Sequence, residues 1–159
     1  MYLAVRCGPV GQEGNGGHAH NDQLALELQI DGEDWISDAG TYLYTPSPSL
    51  RNRYRSVAAH FSPQTDPPRE PASLDVATFL LPDTALAKCL HFDGRSFSGM
   101  HEGFGQPIRR QIEIRESEIV ITDAAKSPLK LKALPNVSRR WSPSTGIRPS
   151  PGYGIARAA

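Results

Sequence analysis

At 159 residues the chain is long enough to bury one core and too short to expect two, and its 17 lysines and arginines balance 17 aspartates and glutamates. That balance gives no overall field to draw it to nucleic acid or an anionic membrane, no apolar run approaches a membrane span, and the first residues carry no secretory signal. Cys7 and Cys89 stand far apart in sequence and in no Cys-x-x-Cys pattern, so neither a disulfide framework nor a cysteine zinc site is indicated and two buried free thiols are expected.

Along the chain, the first dense motif is residues 14–22, GNGGHAHND, with two histidines, an amide and a carboxylate behind a run of glycines. The glycines let backbone come close to whatever sits there, and no Gly-Lys-Ser/Thr follows to make a phosphate loop. Residues 23–30 then put Leu24, Leu26, Leu28 and Ile30 on one parity, the period of a half-buried strand. Asp31-Gly32 is a two-residue hairpin signal, and the chain resumes as a second strand over 33–38. Extended backward, the same parity places His18, His20 and Asp22 on the leucine side, where two imidazoles can converge on one metal or one substrate. Asp38 and His60 complete a His, Asp, His set of the zinc type. A plain hairpin stands in the way, because Asp38 would face Ala25, on the order of 17 Å along the strand from His20. Convergence requires a bend or a bulge.

Next, Arg51, Arg53 and Arg55 alternate as on one face of a strand beside Tyr54. They can lower a tyrosine pKa from its ordinary value of about 10, hold a carboxylate bidentately, or form a solvated basic edge. Tyr42 and Tyr44 read as functional residues or as cross-strand aromatic packing. Residues 62–71 are a proline-rich loop, and further strands are expected at 76–81, 86–92, 108–115 and 118–122, the last two joined near Glu116-Ser117. His91, Trp35 and Trp141 read as packing residues. With no long amphipathic helix in evidence, the expected class is an all-β antiparallel sandwich or barrel. Beyond Ala124 come seven basic residues (Lys126, Lys130, Lys132, Arg139, Arg140, Arg148, Arg157) and no acidic ones, so a domain over 1–125 and a poorly ordered basic tail over 126–159 are expected.

The runs GNGGHAHNDQLALEL, DAGTYLYTPSPSLRNRYRSVAAH and FSGMHEGFGQPIRRQIEI resemble the C-terminal β-sheet domain of the heparinase II/III-like family of polysaccharide lyases. The resemblance implies a supersandwich-like β-sandwich that follows an α/α toroid domain in the full-length protein, absent from this chain. It also implies cleavage of uronic-acid-containing polysaccharides, heparin- or heparan-like (glycosaminoglycan) or alginate-like, by β-elimination in the periplasm or cell envelope. Carried over residue by residue, it gives His20, Asp38 and His60 as ligands of a structural zinc, and His18, Tyr42 and Tyr54 as catalytic candidates. Asn21, Arg51 and Arg55 are the candidates for substrate contact, and His101 matches a recurring position. Phe61 stands where the family usually has Asn, Ala39 replaces a common proline and Ala25 a common serine. Two alternatives accompany this reading: a non-catalytic, zinc-stabilised carbohydrate-binding fragment, and a cupin-like metal enzyme using the two loop histidines with Glu27 and His60.

Overall fold

The structure, a computed structural model, describes residues 1–154 except 12, 13, 139, 142, 144–146 and 151. Arg139 and Arg157 of the basic segment therefore lie outside the described residues. Among the described residues, β1 (Tyr2–Val5), β2 (Leu26–Ile30) and β3 (Glu33–Ile36) form an antiparallel sheet in that order, and β4 (Lys88–Phe92), β5 (Ser96–His101), β6 (Ile108–Ile114) and β7 (Ile119–Ala125) form a second as a meander. No helix is long and apolar enough to cross a membrane among these residues.

The β2–β3 hairpin turns at Asp31 and Gly32, whose φ of 52° and 81° suit a turn with two left-handed residues. Ile30 pairs with Glu33 as the two-residue turn dictates, but the register then shifts, so that Leu28 faces Ile36. By itself this shift would set Asp38 opposite Leu26, one residue farther from His20, so the convergence of the two comes from the chain turning away before β2 begins. The β6–β7 hairpin pairs Ile114 with Ile119 and so closes over Glu116-Ser117.

Leu24, Leu26, Leu28 and Ile36 from the first sheet and its lead-in meet Phe97 and Ile112 of the second, with Phe61 between. Arg110 also lies here at 0% exposure. It forks onto its cross-strand neighbour Asp123 at 2.8 and 2.7 Å, and its Nη1 donates to the carbonyls of Leu24 at 2.8 Å and Phe61 at 2.5 Å. One side chain thereby ties the meander to the other layer.

Three expectations are corrected. The arginine-rich stretch is not a strand but a helix, α1 (Pro48–Arg55), with Ser47 accepting from the Leu50 N–H as N-cap and a proline opening its first turn. Residues 76–81 form no strand, and Cys89 is exposed while Cys7 is only partly covered. Apart from these three, the described residues of the basic segment touch the domain at several points: Leu131 bridges to Thr65, the Trp141 N–H donates to the Trp35 carbonyl at 2.7 Å, and Ile147 is buried with Ala39, Tyr54 and Ala59.

Candidate functional site

The histidine motif is a loop of turns between β1 and β2, not the backward extension of a strand. Gly16, at φ 60°, packs where a Cβ would collide with the Leu81 carbonyl and the Val10 side chain. The neighbouring Asn15 carbonyl accepts from the Leu81 N–H at 3.0 Å, so the loop is fastened along the 78–81 segment. Asn21 closes its other end. It is 2% exposed; its amide nitrogen donates to Glu70 at 2.7 Å and to the Ala72 carbonyl at 2.8 Å, and its oxygen accepts from the Ala72 N–H. The structure thus places Asn21 inside the protein as the anchor of the loop, with both amide protons engaged. Glu70, unremarkable in a proline-rich loop, is the hub here, since it also accepts from Ser56 Oγ at 2.5 Å and the Val57 N–H at 3.0 Å.

Beneath the loop the structure brings His20, His60 and Asp38 together. The imidazole centroids of His20 and His60 are 5.2 Å apart. Asp38 reaches His60 Nδ1 with one oxygen at 2.5 Å and accepts from the Gly40 N–H with the other at 2.7 Å. Burial works against charge on both partners, yet the hydrogen bond between them prevails: Asp38 is held below the usual carboxylate range and His60 above the usual histidine value. His20 moves the other way, pushed down to about 3 by burial and then by the charge of His60. The Nε2 atoms of His20 and His60 are both buried, and neither has a hydrogen-bond partner among the described residues.

Two such imidazole nitrogens on buried rings 5.2 Å apart fit a zinc ion, which takes neutral histidine and would repair the unmet polar cost. Asp38 occupies the other nitrogen of His60, the place of a carboxylate that orients a ligand imidazole. Among the described residues no set of three His, Cys, Asp or Glu side chains already stands together as a metal cage. Glu27, which a cupin-like set needs, is on the exposed face of β2.

Arg51 and Arg55, four residues apart on α1, point inward at 0% exposure, and burial lowers the pKa of each. Their donors go to carbonyls: Arg51 to Thr78 and Gly17 at 2.9 Å each, Arg55 to Thr78 at 2.9 Å and Leu80 at 2.7 Å. They clamp the 78–80 backbone and the histidine loop to one helix, which accounts for the missing strand at 76–81. Arg51 Nη1 and Arg55 Nε remain unpartnered.

Above this layer His18 is exposed, edge-on to Tyr44 at 5.3 Å and Phe79 at 5.9 Å between centroids. Tyr44 stacks on Tyr153 at 5.7 Å and lines a depression of about 280 Å³ with Thr41, Tyr42 and Tyr153. Tyr42 has φ 63° and sits between the Leu43 N–H and the Thr41 carbonyl it bonds at 2.8 Å, a strained three-residue turn. Tyr54 lies under Tyr42 at 5.2 Å, but it is 5% exposed and its hydroxyl donates to the Arg148 carbonyl at 2.8 Å. The expectation that neighbouring arginines lower a tyrosine pKa fails for Tyr54: burial, then Tyr42, raises it, and Arg53 and Arg148 do not offset them. Phe79 and Tyr153 carry no local sequence signal, because they come from distant loops that only the fold brings to His18.

The family model for the heparinase II/III-like C-terminal domain matches residues 1–142, across both sheets, α1 and every side chain of this site except those beyond that limit. No curated protein and no solved structure gives a match. A match of that extent, over a β-sandwich that gathers the motif histidines, Asp38 and the Gly-Thr-Tyr tyrosine at one end, shows that the chain belongs to the heparinase II/III-like family through its C-terminal domain.

Proposed function

We propose that this domain supplies one wall of a polysaccharide lyase active site, cleaving uronic-acid-containing chains by β-elimination. The observation that carries the reading is one loop serving two groups: it sets exposed His18 edge-on to Tyr44, which lines a depression with strained Tyr42, and it carries His20 into the cluster with His60 and Asp38. Family membership supports the polysaccharide lyase relationship.

β-Elimination removes the proton α to the uronate carboxylate and gives a proton to the departing C4 oxygen. It needs a base and an acid on one surface, whereas ordinary glycoside hydrolysis needs two placed carboxylates. His18, exposed and in ring contact with Tyr44 and Phe79, accepts or donates a proton at its ring nitrogen, and the Tyr42 hydroxyl does the complementary transfer. Tyr44, Phe79 and Tyr153 offer aromatic faces to sugar rings. Arg51 and Arg55 act from beneath by fixing the backbone that carries His18. His20 and His60 would hold zinc through Nε2, with Asp38 orienting His60, and the ion would serve as a structural tie between loop and sheet.

The reading is tested on the full-length protein with heparan, hyaluronan, chondroitin and alginate, by the ultraviolet absorbance of the unsaturated uronate product. His18→Ala and Tyr42→Phe each lower the rate by about 10²–10⁴ with unfolding midpoints unchanged. Absence of the chromophore on every acidic polysaccharide would overturn the lyase reading. Elemental analysis of this chain is expected to give one zinc, lost in His20→Ala, and a metal-free wild type would overturn the ligand assignment without touching the catalytic one.

A further inference from the structure

The two cysteines, far apart in sequence, line one groove of about 390 Å³ with Leu3, Val5 and Phe97. Cys7 follows β1 at the edge of the first sheet, and Cys89 is in β4 at the edge of the second. Gly99 draws the layers together at this point. It pairs with Cys89 across β4 and β5, and a Cβ added to it would stand 2.7 Å from Leu24 Cδ2. Leu24 in turn donates its N–H to the carbonyl of Arg6, the residue before Cys7, at 2.8 Å. Cys89 pairs with Gly99, Gly99 packs toward Leu24, and Leu24 is bonded to Arg6, so the strands that carry the two thiols are tied to each other beside the groove that both cysteines line. The charge of Cys89 is also felt at Cys7, whose pKa is raised by burial first and by Cys89 second.

We propose that Cys7 and Cys89 form a modification site: a dithiol pair that closes to an intramolecular disulfide, joining the edges of the two sheets, when the protein meets a small-molecule or protein disulfide as oxidant. Cys89, the exposed partner, attacks the oxidant RSSR as thiolate, forming Cys89–S–S–R and releasing one RSH. Cys7 then attacks the Cys89 sulfur and expels the second RS group, which leaves as RSH. Two Cys S–H bonds and the oxidant's S–S bond are broken, one protein S–S bond and two RSH are made, and the two electrons pass to the oxidant. The half-buried Cys7 thiol, its pKa raised by that burial, makes the second step the slow one, and it accelerates as pH rises.

The experiment is incubation of the full chain with oxidised glutathione, followed by intact mass, alkylation under denaturing conditions and peptide mapping. The expected result is a mass lower by two hydrogens, no alkylatable thiol, and one cross-linked peptide pair containing Cys7 and Cys89. Because the closed loop spans about half the chain, thermal unfolding should rise by about 10 °C and fall back on reduction. Cys7→Ser and Cys89→Ser, each a near-isosteric change, should abolish the rise. Two thiols still open to alkylation, a glutathione adduct resting on Cys89, or linkage only between chains would each overturn the proposal, and the wild-type measurement decides this whether or not the variants fold.

Discussion

The rings of Tyr42 and Tyr54 lie tilted against each other with centroids 5.2 Å apart, yet the two hydroxyls have different surroundings. Tyr54 spends its hydroxyl on the Arg148 carbonyl inside the protein, so Tyr54→Phe should cost about 1 kcal/mol in urea unfolding and leave cleavage by the full-length protein intact. An activity loss as large as that of Tyr42→Phe would move the acid/base role to Tyr54. Gly16 carries a different constraint. A side chain at φ 60° is strained, and there it also meets the Leu81 carbonyl, so Gly16→Ala should cost about 3 kcal/mol and shift the His18 and His20 resonances in NMR spectra. Gly14, with nothing near its missing Cβ, is the control against which a generic loop effect is measured. The sequence advertised these glycines as room for a ligand. Gly16 instead makes room for the neighbouring backbone.

At the scale of elements, the two hairpins were legible because their signals are local: a left-handed Asp-Gly turn, and apolar alternation on either side of Glu116-Ser117. Helix α1 was not. Its buried face is Arg51 and Arg55 rather than leucine, so hydrophobic periodicity reads the wrong side, and only Ser47-Pro48 marks its start. The apolar run 76–81 misled for the complementary reason: the carbonyls of Thr78 and Leu80 serve those arginines and are taken out of any strand ladder. Strand pairing also sets the cost of the Arg110–Asp123 ion pair. Removing one partner strands a buried charge, so Asp123→Ala should destabilise by about 3–5 kcal/mol, while the apolar pair Arg110→Met with Asp123→Leu should recover much of it in the same unfolding assay. His101, at the end of β5, gives the pH dependence. Burial and then Arg110 hold its pKa at about 4, and its Nδ1 accepts from the Gly103 N–H at 3.2 Å. The unfolded chain therefore binds the proton first as pH falls. Stability from neutral His101 is present above its ordinary value of about 6.5 and is lost down to about 4, by about 3 kcal/mol in all. Comparing wild type with His101→Gln across that window isolates the effect, and parallel curves would remove His101 as its source.

Over the whole molecule, composition and geometry part company beyond residue 125. A stretch with no acidic side chain and few apolar ones reads as a solvated tail, because composition counts residues and cannot see what each one meets. The few apolar ones are placed where they matter. Trp141 sets its edge against Phe61 at 5.1 Å, Leu134 and Val137 pack on the main core, and Ile147 at 6% exposure completes the small cluster with Tyr54 behind the Tyr42 turn. The backbone contributes as well: Lys132 donates to the Gln64 carbonyl at 2.8 Å, and Ser150 to the Ala39 carbonyl at 2.8 Å, one residue from Asp38. The site's buried layer is thus closed from behind by the segment that composition set aside. Cutting the chain after residue 125 should lower stability by about 4 kcal/mol or more, since burying Trp141 and Ile147 alone contributes about 2 kcal/mol each. Urea unfolding of the truncated and full chains measures this directly, with tryptophan fluorescence from Trp35 as the common probe. A solvated appendage would leave the midpoint where it was. A docked segment must move it, and should raise the amide exchange rates of Ala39 through Tyr42 with it.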